Sequence, residues 1–183
     1  KPTGDQFRHA PPTRFPATGA GFLNLNRNKR SIALDLSEAE DRAVLLSLLD
    51  DAHVFVTNVR PQAIRRLGLD YDTLASRNPR LIYCGTYGFS ESGPYAGRPA
   101  YDDIIQAMSG LAYLQGVNQE QGRPSYVNTI VADKTAGITA ACAVAMAPYE
   151  RERSGTGQAI EVPMFETMVA FTLLPPFGGK AFI

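Results

Sequence analysis

The sequence predicts an α/β protein with a Rossmann-like, mostly parallel sheet flanked by helices. Three observations lead there. Residues 52–57 and 81–86 are apolar runs of strand length with little alternation, as expected of strands covered on both faces. Helix-forming stretches lie between such runs, so the order is β then α, repeated. Clusters rich in Gly and Pro separate the two kinds of segment. No internal repeat interrupts this order.

Length and composition bound the rest. The 183 residues fit one domain or slightly more. A content of 44% hydrophobic and 20% charged residues is that of an ordinary globular protein. Formal net charge is zero, which gives no global attraction to nucleic acid or an anionic membrane, so neither is expected as a partner. No apolar run is long enough to span a bilayer, and the polar start lacks the apolar core of a signal peptide. A cytoplasmic location is the expectation. Cys84 and Cys142 lie far apart in apolar segments and read as buried free thiols in a reducing compartment. His9 and His53 form no ligand spacing with them, so no metal site is expected.

Residues 1–20 carry Pro, Gly and Thr without period and read as an irregular surface segment, with order starting near Phe22 and Leu23. Asn26-Arg27-Asn28-Lys29-Arg30 is a basic run, either a phosphate receiver or a solvated turn. Ile32, Leu34 and Leu36 alternate, so residues 31–36 are expected as a strand. Ser37 followed by Glu40 has the spacing of a capping box, opening a helix to about Leu49. Residues 52–57 then form a strand, expected to be central. Pro61 suits the first turn of a short helix over 62–67 that Gly68 stops. The preceding Asn58, at a strand's carboxyl end, occupies a common ligand position in open parallel sheets.

A short helix over 71–76 ends at Asn78-Pro79, and residues 81–86 make the next strand. A long Gly-rich aromatic loop follows, of a kind that often carries function. Residues 101–111 read as one helix with Ile104, Ile105 and Met108 on its apolar face and Tyr101 and Asp102 at its start. After a polar loop, Asp133 stands at the head of an Ala-rich helix to about Arg153, which Pro148 is expected to kink or weaken. A turn at Gly155, a strand over 159–162 and a helix over 164–173 complete the series.

Asp133 is the chemical candidate. At or near the first turn of a helix, backbone N–H groups and the dipole favour an ionised carboxylate. Such a group can be a nucleophile, although an Asp there is more often only a cap. The generic signatures G-x-S-x-G, H-E-x-x-H and G-x-x-x-x-G-K-S/T do not occur.

An ordered set of short motifs points further. It comprises Asn28-Lys29-Arg30-Ser31-Ile32, Val56-Thr57-Asn58-Val59-Arg60-Pro61 and Asn78-Pro79-Arg80-Leu81-Ile82-Tyr83. Gly88-Phe89 ahead of Gly93-Pro94-Tyr95, then Ala132-Asp133, then Gly155-Thr156-Gly157-Gln158 complete it. The set resembles the family III CoA-transferases, the group of formyl-CoA:oxalate and carnitine CoA-transferases that also includes 2-methylacyl-CoA racemases. The resemblance covers nearly the whole chain.

What the resemblance implies is specific. Asp133 would be the nucleophile, attacking an acyl-CoA thioester to give a mixed anhydride and then an aspartyl-CoA thioester. An acceptor carboxylic acid would leave with CoA, and coenzyme A, as substrate thioester, would be the only cofactor, with no metal. Helix N–H groups are one possible source of donors for the tetrahedral intermediates. Leu34, Leu36 and Ser37 would line the adenine pocket, while Asn58, Val59 and Arg66 would hold the nucleotide and its phosphates. Arg suits phosphate because its planar fork gives paired, charge-assisted bonds; Arg66 read alone is a solvated helix residue. Tyr101 would touch the acyl end and favours transferase over racemase, since the racemases carry a His there as base and an unperturbed Tyr has a pKa of about 10.

The family's members are interlocked homodimers whose chains start earlier and continue through a small domain. The resemblance therefore implies a homodimer. It divides this chain into an irregular segment (1–20), a large-domain core (21–173) and the start of a linker (174–183). Both ends read as loops, so a fragment or a short relative is the expectation. The alternative function is a truncated, non-catalytic domain that binds CoA or serves assembly; an alpha-methylacyl-CoA racemase is third.

Overall fold

The computed structural model describes residues 4–117 and 122–173. The expected linker at 174–183 lies outside the described residues. The chain forms two compact units, one ending at Leu48 and one starting at Leu49.

The first unit contains a 3-10 turn, Gln6–His9, and helix α1, Ala20–Leu25. Asp5 caps the turn by accepting from the Phe7 N–H at 2.7 Å. The Arg8 guanidinium stacks 4.0 Å above the Phe22 ring, an attraction between cation and ring quadrupole. The strand expected over 31–36 does not form, and these residues run as unpaired chain. Alternation alone cannot make a strand, because its N–H and C=O groups need a neighbouring ladder, and no strand pairs with it among the described residues. Ile32 is accordingly 58% exposed.

The capping box does not form either. The Ser37 hydroxyl donates to Asp35 Oδ1 at 2.5 Å, closing a local turn, and the Asp35 N–H donates to Asp41 Oδ2 at 2.6 Å. Asx-type turns compete with capping for the same side chains. Helix α2, Ala39–Asp50, therefore starts beyond Ser37, with Glu40 and Asp41 facing its positive end.

The second unit holds the sheet. Strands β1 (Val54–Thr57), β2 (Ile82–Tyr87) and β3 (Ala159–Pro163) pair in the order β1-β2-β3, both pairs parallel. Val54 pairs with Ile82, and Tyr83 with Ala159. The apolar character of residues 52–57 suggested a central strand. In this sheet β1 is at the edge, with Val56 57% exposed, and β2 is central, with Ile82 and Cys84 fully buried.

Helices α3 (Pro61–Arg66) and α4 (Tyr71–Arg77) connect β1 to β2. Pro61 occupies the first helical turn, and Gly68 ends α3 with a left-handed φ of +67°. Asn78 closes the connection, its side chain donating to the Leu49 and Ala52 carbonyls. Helices α5 (Asp102–Met108), α6 (Leu111–Gly116) and α7 (Val131–Ser154) connect β2 to β3, and α8 (Met164–Leu173) follows directly. The single helix expected over 101–111 is thus two. Gly110 breaks it at φ +80°, a conformation that costs glycine little and interrupts the helical ladder.

Helix α7 runs through Pro148 to Gly155, whose φ of +80° terminates it. Ala132, Ala136, Ala140 and Ala147 form its buried stripe, and these small side chains let the backbone approach the sheet closely. Ala136 and Ala140 pack with Cys84 and Val162. Ala132 packs with Phe89, Ile105 and Met168, so the first turn of α7 is anchored in a separate apolar cluster. Cys84 is buried as expected, but Cys142 is exposed, because it lies on the face of α7 opposite the alanine stripe.

Gly157 marks the tightest backbone approach beside the sheet. Its N–H donates to the Pro79 carbonyl at 2.8 Å, and a Cβ there would overlap the Leu81 carbonyl group. Gly157→Ala is expected to destabilise the protein by about 3 kcal/mol, because the entry to β3 must shift away from β2. Urea unfolding monitored by circular dichroism checks this.

Candidate active site

The site is built at the carboxyl ends of β1 and β2, where an open parallel sheet presents its loops. Asn58 and Arg60 leave β1, and Tyr87, Gly88 and Phe89 leave β2. With Arg98, Pro99, Ala100 and Tyr101 they line a cavity of about 300 Å³. The loop between β2 and α5 keeps its shape through an aromatic cluster. Phe89, Tyr95 and Phe165 pack with ring centroids 5.3–6.0 Å apart, and Arg98 lies 5.3 Å from the Tyr95 ring. Glu166 of α8 accepts from the Ser90 N–H and fixes the start of the loop.

Tyr101 precedes α5 and is 73% exposed. It also lines a second, more open cleft of about 500 Å³, shared with Asp102, Asp103, Gln106, Tyr126 and Asp133. Tyr101 thus stands between the cavity holding Asn58 and the cleft holding Asp133.

Asp133 is the third residue of α7. Its side chain accepts no hydrogen bond among the described residues, so it is not the cap of its own helix. That role falls to Asp102, thirty-one residues earlier in the chain. Asp102 Oδ1 accepts from the Ala132 N–H at 2.7 Å and from the Asp133 N–H at 3.2 Å. The other two N–H groups of the first turn are also engaged, Val131 with the Thr129 carbonyl and Lys134 with that of Ile130. Of the four N–H groups at the helix start, those of Val131, Ala132 and Asp133 are therefore already engaged, and among the described residues only that of Ile130 has no acceptor, which narrows the supply expected for an oxyanion.

The electrostatics reverse a second expectation. Asp133 is open to solvent, yet its carboxyl is pushed above the usual aspartate value, first by the desolvation that surrounding atoms impose and then by the Asp102 carboxylate. The favourable helix dipole is offset because Asp102 already occupies the donors.

Gln106 supports the same corner and is 2% exposed. Its amide nitrogen donates to Asp102 Oδ2 at 2.6 Å and lies 3.4 and 3.3 Å from the Val127 and Thr129 carbonyls, while its oxygen accepts from the Val127 N–H at 2.8 Å. One buried amide thus ties the start of α5 to the segment that leads into α7. Asp102 was noted in the sequence only as a neighbour of Tyr101, and Gln106 was not singled out. They bond each other at a separation of four residues, but their remaining partners lie more than twenty residues away, beyond the reach of any local pattern.

The remaining sequence candidates divide. Val59 is 40% exposed, and its N–H donates to Thr57 Oγ1, but neither it nor Arg66 lines the 300 Å³ cavity. Arg66 is exposed in the last turn of α3. Arg60 and Arg98 supply the cavity's positive charge instead, beside Glu91, whose carboxylate is paired with Arg65 at 3.5 Å. In the first unit, Leu34 is half-buried and lines a cleft of about 660 Å³ with Arg8, Lys29 and Arg30, whereas Leu36 and Ser37 do not. Among the described residues no group of His, Cys, Asp and Glu is arranged to hold a metal ion, and no helix is long and apolar enough to cross a membrane.

The model of CoA-transferase family III matches residues 1–176. The acetyl-CoA:oxalate CoA-transferase of Acetobacter aceti is 44% identical over 151 residues, covering 82% of this chain and 38% of that protein. An acyl-CoA transferase of Fusarium pseudograminearum is 40% identical over 149 residues, covering 81% of this chain and 32% of that protein. Among solved structures, a CAIB/BAIF family protein from Brucella suis superposes with a TM-score of 0.87 at 33% identity, covering 99% of this chain and 47% of that one. The chain therefore spans less than half the length of these relatives.

Proposed function

The chain belongs to CoA-transferase family III, and from that premise we propose that it moves CoA between an acyl-CoA thioester and a free carboxylic acid, with Asp133 as nucleophile. The observation that carries this reading is the unengaged Asp133 carboxylate, open to a cleft and relieved of capping by Asp102. An Asp that capped its own helix would have its oxygen lone pairs committed to N–H groups; this one does not.

The steps follow from carboxylate chemistry. An Asp133 oxygen attacks the thioester carbonyl carbon, the C–S bond breaks, and CoA leaves as thiolate, leaving a mixed anhydride. The thiolate attacks the Asp133 carbonyl carbon, releasing the donor acid and forming an aspartyl-CoA thioester. The acceptor carboxylate attacks that thioester, and the thiolate then takes the acceptor acyl group, restoring Asp133. Each step exchanges one activated carbonyl for another, so neither metal nor redox cofactor takes part.

Asn58, with Arg60 and Arg98 beside it, is assigned to the CoA chain and its diphosphate, because two guanidinium groups at one cavity match phosphate oxygens. Leu34, Leu36 and Ser37 are assigned to the adenine end, and Val59 and Arg66 to the outer nucleotide. Tyr101, placed at both cavities, is assigned to the passage between CoA and the acyl group. A homodimer is the proposed assembly, and residues 21–173 the proposed core of the large domain.

The racemase alternative makes an opposite prediction. Incubation with a 2-methylacyl-CoA in deuterated water is expected to leave the alpha proton in place, while CoA passes to an added carboxylic acid. Deuterium entry at the alpha carbon, lost in Tyr101→Phe, would overturn the transferase reading.

A further inference from the structure

We propose that Asp102 is a positioning residue for Asp133: its carboxylate locks the two backbone N–H groups from which Asp133 projects and stands as a like charge that acylation of Asp133 relieves. The proposal rests on the nucleophile reading above for its mechanistic meaning. Its structural part stands on the geometry alone.

The environment of Asp102 explains why a carboxylate is needed there. Its two oxygens face only donors: the Ala132 and Asp133 N–H groups on one and the Gln106 amide on the other. An asparagine would turn an NH₂ group toward one of these donors in either orientation. Rotation of Gln106 cannot rescue it, because the Gln106 oxygen is held by the Val127 N–H and its nitrogen faces two carbonyls. The arrangement specifies an acceptor-only side chain.

Two consequences follow for Asp133. A carboxylate at the third helical position can fold back onto N–H groups at its own helix start. Asp102 holds two of them, those of Ala132 and Asp133, and the Asp133 side chain lies at the cleft. The second consequence is electrostatic. The free carboxylate faces Asp102, whereas the anhydride and the aspartyl-CoA thioester are uncharged at this position. When an Asp133 oxygen forms its bond to the acyl carbon and the C–S pair departs with sulfur, the negative charge moves from Asp133 to the CoA thiolate. Repulsion between Asp102 and Asp133 is present before that step and absent after it, so Asp102 favours the acylated enzyme.

The other titratable groups at this cleft are Tyr101, Asp103 and Tyr126. Asp103 accepts from the Ile104 N–H at the start of α5, and the Lys134 ammonium donates to Thr129 Oγ1. Among the described residues no ion pair joins Lys134 to Asp133.

The test reads the two carboxyl groups without CoA. Asp side chains of the full chain are labelled with ¹³C at the carboxyl carbon and titrated by NMR, in wild type and in Asp102→Asn. In wild type the Asp133 midpoint is expected above the ordinary aspartate range, with the Asp102 signal responding as Asp133 titrates. In Asp102→Asn the Asp133 midpoint is expected to fall and its backbone amide to exchange faster with solvent. If Asp102→Asn does not fold, the wild-type coupling decides alone. An Asp133 midpoint in the ordinary range, or one unmoved by Asp102→Asn, would overturn the proposal, because a purely structural cap leaves that midpoint alone. Loss of the transferase reading would leave these titrations unchanged, so the two failures are distinguishable.

Discussion

Asp133→Asn is expected to abolish CoA transfer, by on the order of 10⁴-fold or more, while leaving the fold intact. The amide retains the shape of the side chain and loses its nucleophilic charge. Nothing structural is lost with it, since the Asp133 side chain accepts no hydrogen bond among the described residues and the helix cap belongs to Asp102. The same substitution carries a stability signature. The Asp133 carboxyl is held above its ordinary value, so the folded state binds its proton more strongly than the unfolded chain does. That contribution is complete below the ordinary aspartate value and is lost as pH rises through the raised one. At neutral pH the wild type therefore carries a charge that its fold disfavours, and Asp133→Asn is expected to melt at a higher temperature. The difference should close as pH falls below the ordinary aspartate range. Thermal melts at several pH values check the sign, and a variant that melts lower at neutral pH would contradict it.

Gln106→Leu is expected to have the largest effect outside the nucleophile. The leucine has nearly the same bulk but leaves the Val127 N–H without its acceptor and Asp102 Oδ2 without its donor, while the Val127 and Thr129 carbonyls keep only their backbone donors. A buried group stripped of its partner costs about 1–3 kcal/mol, and two are stripped together here, so a loss of about 3 kcal/mol is expected. The damage is also directional. Gln106 ties the start of α5 to the segment before α7, so its loss loosens both Asp102 and Asp133. CoA transfer by the folded fraction should fall as well, and the Val127 amide should lose its protection from hydrogen exchange. Retention of both stability and protection would show that the network carries little.

Parts of this corner were legible in the sequence and parts were not, for physical reasons. The parallel α/β order could be read because β2, α7 and α8 are long, apolar or alanine-rich, and punctuated by Gly68, Gly155 and Asn78. Alternation at Ile32, Leu34 and Leu36 misled because strand formation depends on a partner that the pattern does not encode. Ser37 and Glu40 misled because Asp35 and Asp41 compete for the same turn. Gly110 falls inside the helix expected over 101–111, and its left-handed conformation separates α5 from α6. The position of Asp133 at a helix start was legible, but its chemical state was not. The sequence placed a lone carboxylate among free N–H groups; the fold brings Asp102 into that place first. Arg60 stood within a quoted motif and Arg98 within a loop, and only the fold places both on the wall that Asn58 shares.

A nucleophilic Asp133 becomes covalently acylated, which a capping residue does not. The most direct measurement is to incubate the protein with an acyl-CoA, quench with hydroxylamine, digest, and locate the modified peptide by mass spectrometry. A hydroxamate on Asp133 is expected, formed in wild type and absent from Asp133→Asn. Bound CoA with no adduct, or an adduct on another residue that persists in Asp133→Asn, would contradict it.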